Sequence, residues 1–272
     1  LPIYIPNPVG MPASRLEVQA HIVSASVIAL GHLENCLEQV GMNVEGVVLQ
    51  PLASADAVLS DAERELGVAL LDIGAGTTDI AIFVDGAVCY TGSFPMGGGH
   101  ITRDLAVGLE IDPEEAEKLK INQGCAWVET MPPDTRLTLK TLSSDVPKTV
   151  SGIFMAEIIQ ARAAEILSLA KEQMLRSGFF HRLAVGVVIT GGGSQLQELQ
   201  PLAKQVLGLP VRLGRPMAKG PASFKNPALA TGVGLLLYGS QEQFNAPPAA
   251  WHQIKPTLVA RFIAWCKNIF GP

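Results

Sequence analysis

The spacing of apolar positions along the chain switches repeatedly between two periods. Over Arg15 to Ala25, apolar Leu16, Val18, Ala20 and Ile22 alternate with Glu17, Gln19 and His21, the pattern of a half-buried strand. Helical spacing takes over from Val27 to Val40, where Ile28, Leu30, Leu33, Leu37 and Val40 recur and Gly41 suits the stop. A short strand from Val44 to Leu49 and a helix from about Pro51 to Leu59 follow, with the proline in the first turn, where its missing N–H is not needed. Val68 to Ile73 is a continuous apolar run of buried-strand type, and a second run, Ile80 to Val84, leaves the glycine-rich stretch between them. Asp85-Gly86 is the strongest hairpin signal in the chain and predicts a third strand over Ala87 to Phe94.

Helices are predicted around Ile101 to Leu109, behind Gly97-Gly98-Gly99, and from Asp112 to about Ile121. There Asp112 caps, Pro113 fills the first turn, and Glu114 and Glu115 match the helix dipole. Asn122 to Thr149 reads as loop and short strand, and a long helix spans roughly Ile153 to Arg176. Val185 to Ile189 is a further buried strand, followed by Thr190-Gly191-Gly192-Gly193-Ser194 and a helix carrying Leu196, Leu199, Leu202, Ala203 and Val206. A short strand at Val211 to Leu213 and a helix from Ala228 to Leu237 complete the pattern, before a polar, Pro- and Ala-rich linker from Gly239 to Pro256. The opening Leu1 to Gly10, an apolar run broken by Pro2, Pro6 and Pro8, reads as the middle of something longer.

Composition narrows the classes. Of 272 residues, 48% are hydrophobic and 17% charged, enough apolar material for a sizeable core and too little charge for a mainly disordered chain. The formal charge of −5 lacks the basic excess of a duplex-binding domain, so no nucleic-acid partner is expected. Cys36, Cys89, Cys125 and Cys266 are scattered without a Cys-x-x-Cys pair and read as reduced thiols, not a disulfide frame or zinc site. No apolar stretch reaches the roughly 18 residues of a spanning helix. No signal peptide is legible at the start. The histidines, His21, His32, His100, His181 and His252, have no metal-ligand spacing, and no nucleophile–histidine arrangement is legible.

Four constellations could carry chemistry. Asp72-Ile73-Gly74-Ala75-Gly76-Thr77-Thr78-Asp79 lies between two strands, which excludes a dinucleotide-binding or Walker turn, since both need a helix after the glycines. Its small residues would let backbone N–H groups close on a phosphate, Thr77 and Thr78 add hydroxyls, and Asp72 could hold magnesium through water. A tight hairpin in which the glycines only supply positive φ is the plain alternative. Gly191-Gly192-Gly193, between strand and helix, could lay its backbone against the same ligand, or could simply be a turn. Glu117 and Lys120, one helical turn apart, read most simply as an exposed ion pair. The tail from Thr257 to Phe270 repeats Leu258, Phe262, Trp265 and Ile269 at helical spacing, joined by Phe270, with Arg261 and Lys267 as its charges. That profile fits a helix lying in a membrane interface; a helix docked on the core is the alternative.

The nests DIGAGTTD (72–79) and TGGGSQL (190–196) resemble the second phosphate loop and the adenosine loop of the actin-like ATPase superfamily. Within it the chain is similar to the FtsA family of bacterial cell-division proteins. The likeness runs through NPVGM at Asn7 to Met11, LEVQAHIV, PLASADAVL, ERELGVALLDIGAGTTDIAIF, AEKLKINQGCA, VVITGGGSQLQEL, ATGVGLLLYG and the terminal helix. The resemblance implies an α/β, actin-like (ribonuclease H-like) ATPase fold with an incomplete first lobe, a complete second lobe and a C-terminal amphipathic helix. It implies the end of the FtsA-specific subdomain at 1–43, a return to the first lobe at 44–66, and a second-lobe core at 67–98 and 179–243. A smaller FtsZ-binding subdomain at 99–178, a linker at 244–256 and a membrane-targeting helix at 257–272 would complete it.

By the same resemblance, ATP and Mg2+ would be met by Asp72, Gly74, Gly76, Thr77 and Thr78, the adenosine by Gly191, Gly192 and Gly193, and ribose and base by Glu117 and Lys120. Arg162, on the long helix, would neighbour the surface for the FtsZ C-terminal peptide. The implied role is an adaptor at the cytoplasmic face of the membrane, at the division septum. It would assemble with itself into filaments, tether FtsZ and meet later divisome proteins, with at most weak ATPase activity. Two departures bear on this: no first phosphate loop precedes Leu1, and Ala75 stands where a third glycine is usual. The rival from another class is a phosphotransferase of the same superfamily, which would need an acceptor base not legible here.

Overall fold

The computed structural model describes residues 11–12, 14–15, 17, 20–142 and 144–240. The described chain divides into two compact units: residues 49–237 with the described residues up to Ser24, and residues 25–48 with 238–240. In the second unit, α1 (Val27–Gln39) starts on Ser26, whose side chain accepts from the Ala29 amide, and none of its residues is buried.

The first unit runs α2 (Gln50–Val58), α3 (Asp61–Leu66), β1 (Val68–Ile73), β2 (Thr78–Val84), β3 (Ala87–Phe94), α4 (Gly98–Leu109) and α5 (Pro113–Gln123). It continues with β4 (Arg136–Thr141), β5 (Ser144–Ser151), α6 (Gly152–Arg176), β6 (Gly186–Thr190), α7 (Leu199–Leu207), β7 (Val211–Leu213) and, up to Leu237, α8 (Ala230–Ser240). Five strands make one sheet in the order β3-β2-β1-β6-β7, with β1 antiparallel to β2 and parallel to β6. Every residue of β1, β2 and β6 is buried, which is why these strands read as continuous apolar runs: both faces of the sheet are covered. Ala69, Leu71, Ile73, Ile80, Ile82 and Ile189 point into a core shared with α4, α6 and α7. On the other face, Val68, Leu70, Ala81, Phe83 and Val188 meet α2 and α8.

Asp85 and Gly86 both take positive φ, 54° and 76°, the turn whose twist matches the strands it joins. Between β3 and β6 the chain inserts α4, α5, the β4–β5 hairpin and α6, which pack on one side of the sheet. On the opposite side α8 crosses α2 closely at Gly234, where a Cβ would stand 1.7 Å from the Ala53 carbonyl oxygen.

Three expectations change. Residues 20–25 and 42–49 carry no strand; Ile22 and Val47 are exposed, and among the described residues no strand pairs with either segment. The short α3 escaped the apolar pattern because its signal is polar: a reciprocal cap in which the Ser60 side chain accepts from the Glu63 amide and Glu63 accepts from the Ser60 amide. The helix expected from Leu196 begins at Leu199. A single 3-10 turn, Gly192–Gln195, follows the glycines, and Gln197 instead bridges to Cys125, its carbonyl accepting from the Ala126 amide at 2.8 Å.

Candidate functional site

The turn between β1 and β2 is closed by one hydrogen bond, from the Gly74 amide to the Thr77 carbonyl at 2.9 Å. Ala75, Gly76 and Thr77 stand exposed at its tip, and none of their amides is used among the described residues. Unspent, outward N–H groups in a turn without bulky side chains are the chemistry of an anion cradle, so the donor set fits a phosphate. The two threonines are not equivalent. The Thr77 hydroxyl is at the surface, 3.3 Å from Asp79 Oδ2, whereas that of Thr78 is buried and donates to the Met96 carbonyl at 2.8 Å. Thr78 therefore ties the turn to the start of α4, whose own first amides are also committed: Gly98 donates to Gly74 and Gly99 to Ala75, at 2.9 and 2.8 Å.

Asp72 is 2% exposed and points to the α2–α8 side of the sheet, paired across the strands with Asp79 and Thr190. Its Oδ2 accepts from the Ser54 hydroxyl at 2.6 Å and lies 3.3 Å from the Thr231 hydroxyl; Oδ1 faces Gly191. Burial pushes this carboxyl up, and the Asp79 charge adds to it, against the pull of hydrogen bonds from Ser54, Gln50 and Thr231. Asp79, 8% exposed, is a neighbour the sequence presented only as a flanking acid; the antiparallel register of β1 and β2 is what sets it beside Asp72.

Gly191 takes φ 84° and ψ 170°, a conformation nearly confined to glycine. Its amide donates to the Pro227 carbonyl at 3.2 Å, and Ser194, although buried, donates its hydroxyl back to Gly191 at 2.7 Å. Thus the glycine run is a strand end folded into a tight 3-10 turn, and no α-helix N-terminus opens on it. A Cβ on Gly98 would lie 3.6 Å from Gly193 Cα and 3.7 Å from Lys120 Nζ, so the start of α4, the glycine run and the last turn of α5 meet at one place.

Lys120 is more than half of an exposed pair. With its side chain 13% exposed, the ammonium donates to Glu117 Oε2 at 2.7 Å, to the Thr102 hydroxyl at 2.8 Å and to the Gly98 carbonyl at 3.0 Å. Thr102 also donates to Glu117. Partial burial works to raise the Glu117 carboxyl, but the bonds from Lys120 and Thr102 outweigh it and hold the group below its ordinary range. A clamp of this kind fixes a charged, partly open edge beside Gly98 and Gly193.

Arg162 stands apart from this cluster. Its guanidinium grips Asp104 of α4 at 2.5 and 3.1 Å and Glu165 at 2.6 Å, and the Asp104 bonds raise it further above its ordinary range. It is spent on joining α6 to α4. The tail residues Leu258, Arg261, Phe262, Trp265, Lys267, Ile269 and Phe270 lie outside the described residues. Within the described residues no helix is long and apolar enough to cross a membrane, and no cluster of His, Cys, Asp and Glu could hold a metal ion by itself.

The fold matches solved structures of filament-forming and nucleotide-bound proteins. A crystal structure of MreB5 of Spiroplasma citri bound to ADP superposes with a TM-score of 0.65 at 16% identity, over 82% of this chain and 69% of that one. The MamK double helical filament gives 0.60 at 18%, over 80% and 66%. At these identities the likeness speaks for an actin-like fold alone. Sequence likeness goes further. The chain is 38% identical over 239 residues to the cell division protein FtsA of Pseudomonas aeruginosa, covering 87% of this chain and 57% of that protein. It is 34% identical to FtsA of Neisseria meningitidis, over 97% and 66%, and 31% identical to FtsA of Escherichia coli K12, over 97% and 64%. The chain therefore spans between 57% and 66% of the length of these relatives. The family model described as cell division protein FtsA matches residues 69–234, the stretch that holds both glycine turns, the Glu117–Lys120 clamp and Arg162. On a shared actin-like fold and that match, the chain belongs to the FtsA family of cell-division proteins.

Proposed function

We propose that the chain is part of a nucleotide-responsive cell-division adaptor. It binds ATP with Mg2+, assembles with itself into actin-like filaments, and tethers FtsZ filaments to the cytoplasmic face of the membrane at the septum. The observation that carries this reading is the meeting of two glycine turns and two helix ends: free amides at Ala75 to Thr77, and the glycine run beside Gly98 of α4 and the Lys120 ammonium of α5. When bound, magnesium would neutralise phosphate charge. Asp72 would hold its water shell, since magnesium keeps much of its hydration. The amides of Ala75, Gly76 and Thr77 and the Thr77 hydroxyl would donate to phosphate oxygens, with Gly74 closing the turn behind them, Gly191, Gly192 and Gly193 would lie against the adenosine, and Glu117 and Lys120 would meet ribose and base. Thr78 contributes from behind, by holding the turn to α4.

Residues 99–178 would form the smaller subdomain that takes the FtsZ C-terminal peptide, with Arg162 acting on that surface through its hold on α4. The 257–270 helix would supply the membrane contact. A single short amphipathic helix binds reversibly, so filament formation would multiply its avidity.

Co-sedimentation of FtsZ with anionic vesicles tests the adaptor, using the chain and the chain cut at Pro256. FtsZ pelleting only with the uncut chain supports both contacts. If the chain pellets and FtsZ stays in solution, the FtsZ contact is wrong; if neither pellets, the membrane helix is wrong. Trp265→Glu with Phe262→Glu should abolish vesicle binding and leave the unfolding curve unchanged.

A further inference from the structure

Ser54 is fully buried in α2, among Ala53, Ala55 and Ala57, in a stretch where another alanine would pack as well and form helix better. A buried hydroxyl is costly unless it is hydrogen-bonded. Ser54 is bonded twice, to Asp72 Oδ2 at 2.6 Å and to the Thr231 hydroxyl of α8 at 2.9 Å. A serine hydroxyl has one proton. A carboxylate acceptor takes it, so in the second contact Ser54 accepts and Thr231 donates, with Asp72 Oδ2 a further 3.3 Å acceptor for the same Thr231 proton. Two hydroxyls from two helices thus converge on one oxygen of a buried carboxylate. The other oxygen, Oδ1, faces Gly191, where a Cβ would stand 2.4 Å away, and the Gln50 side chain of α2 also hydrogen-bonds this carboxyl group.

We propose that Ser54 and Thr231 are positioning residues for Asp72. By holding Oδ2 they fix the orientation in which Oδ1 meets a hydrated magnesium ion, and they tie α2 and α8 to the occupancy of that site. The inference rests on the nucleotide reading above. Groups that hydrogen-bond a metal-associated carboxylate orient it, and losing one costs metal affinity while the rest of the ligand's contacts stay. The helices that carry the two hydroxyls also cross at Gly234, so a shift at Asp72 acts on a contact with no slack.

The test is calorimetric titration of the chain with ATP, once with Mg2+ and once with EDTA, for wild type, Ser54→Ala, Thr231→Val and Thr231→Ser. Wild type and Thr231→Ser should gain affinity with Mg2+. Ser54→Ala and Thr231→Val should lose roughly tenfold of that gain and keep the EDTA affinity within about twofold. In wild type, amide exchange in α2 and α8 should also slow with Mg-ATP relative to ATP in EDTA, and it should not in the two variants. A full Mg2+ gain in both variants would overturn the positioning role. So would an equal loss with and without Mg2+, since the hydroxyls would then serve only the fold. A wild-type chain that binds no ATP would overturn the nucleotide reading itself, and this inference with it.

Discussion

Gly191→Ala is the substitution that asks most directly whether the glycine run is fixed by its surroundings. Its backbone, at φ 84° and ψ 170°, lies in a region that costs an L-residue about 1–3 kcal/mol. The added methyl would also stand 2.4 Å from Asp72 Oδ1 and 2.5 Å from the Ile73 carbonyl oxygen. Neither can give way easily, because one belongs to a buried carboxylate held from behind by Ser54 and the other to the central strand β1. Overpacking of that kind costs a further ~1–3 kcal/mol. The expected loss is therefore about 2–6 kcal/mol, or a Tm lower by roughly 5–20 °C for a unit of this size. Gly192→Ala is the control: its methyl would meet only Ala228 Cβ, at 3.9 Å, with no positive φ, so it should cost under about 1 kcal/mol. Urea unfolding of the two variants, followed by far-UV circular dichroism, reads the difference. Equal stabilities would refute the reasoning, because the same chemical change would then be insensitive to the geometry on which the site depends.

Asp72→Asn should stabilise the chain. Burial holds the Asp72 carboxyl above its ordinary value of 3.8, so the folded state keeps its proton to higher pH, and stability is lost as pH rises from 3.8 through the folded value. The asparagine variant should have a higher Tm at neutral pH and a flatter profile across that window; a lower Tm at neutral pH would contradict it. Lys120→Met leaves Glu117, Thr102 and the Gly98 carbonyl without their shared donor and should cost about 1–3 kcal/mol in a denaturant titration. It should also weaken the downward pull on the Glu117 carboxyl, leaving only that of Thr102, which carbon-13 NMR of the side chain would register as a rise. Arg162→Ala removes a partly exposed pair between α6 and α4, worth about 1 kcal/mol after solvent screening. A double-mutant cycle with Asp104→Ala should show positive coupling that shrinks at high salt, and zero coupling at low salt would mean the contact is not a clasp.

The second unit's helix α1 and much of the first unit's sheet were legible from local spacing. Val68 to Ile73 and Ala87 to Phe94 form strands over the residues the pattern predicted, and Asp85-Gly86 turns between strands as its chemistry requires. These features depend on the period of side chains along a strand and on the few residues that tolerate positive φ, both properties of neighbouring residues. Residues 20–25, the end of the alternating stretch, and residues 44–49 form no strand, because a strand also needs an edge to pair with, and nothing local supplies one.

The site divides along the same line. The amino-acid sequence by itself determined that glycines, threonines and an aspartate would stand at the ends of buried strands, and the likeness of those turns to a known superfamily named their ligand. Only the tertiary structure decided what each group does there. It buried Thr78 against Met96, drew Lys120 into Gly98, and turned Arg162 onto Asp104. It also brought Ser54 to Asp72 across 18 residues and to Thr231 across 177, a pairing that no periodicity encodes. Which hydroxyl meets which carboxylate is set by how two helices pack on one face of a sheet, and that packing is a sum over the whole core.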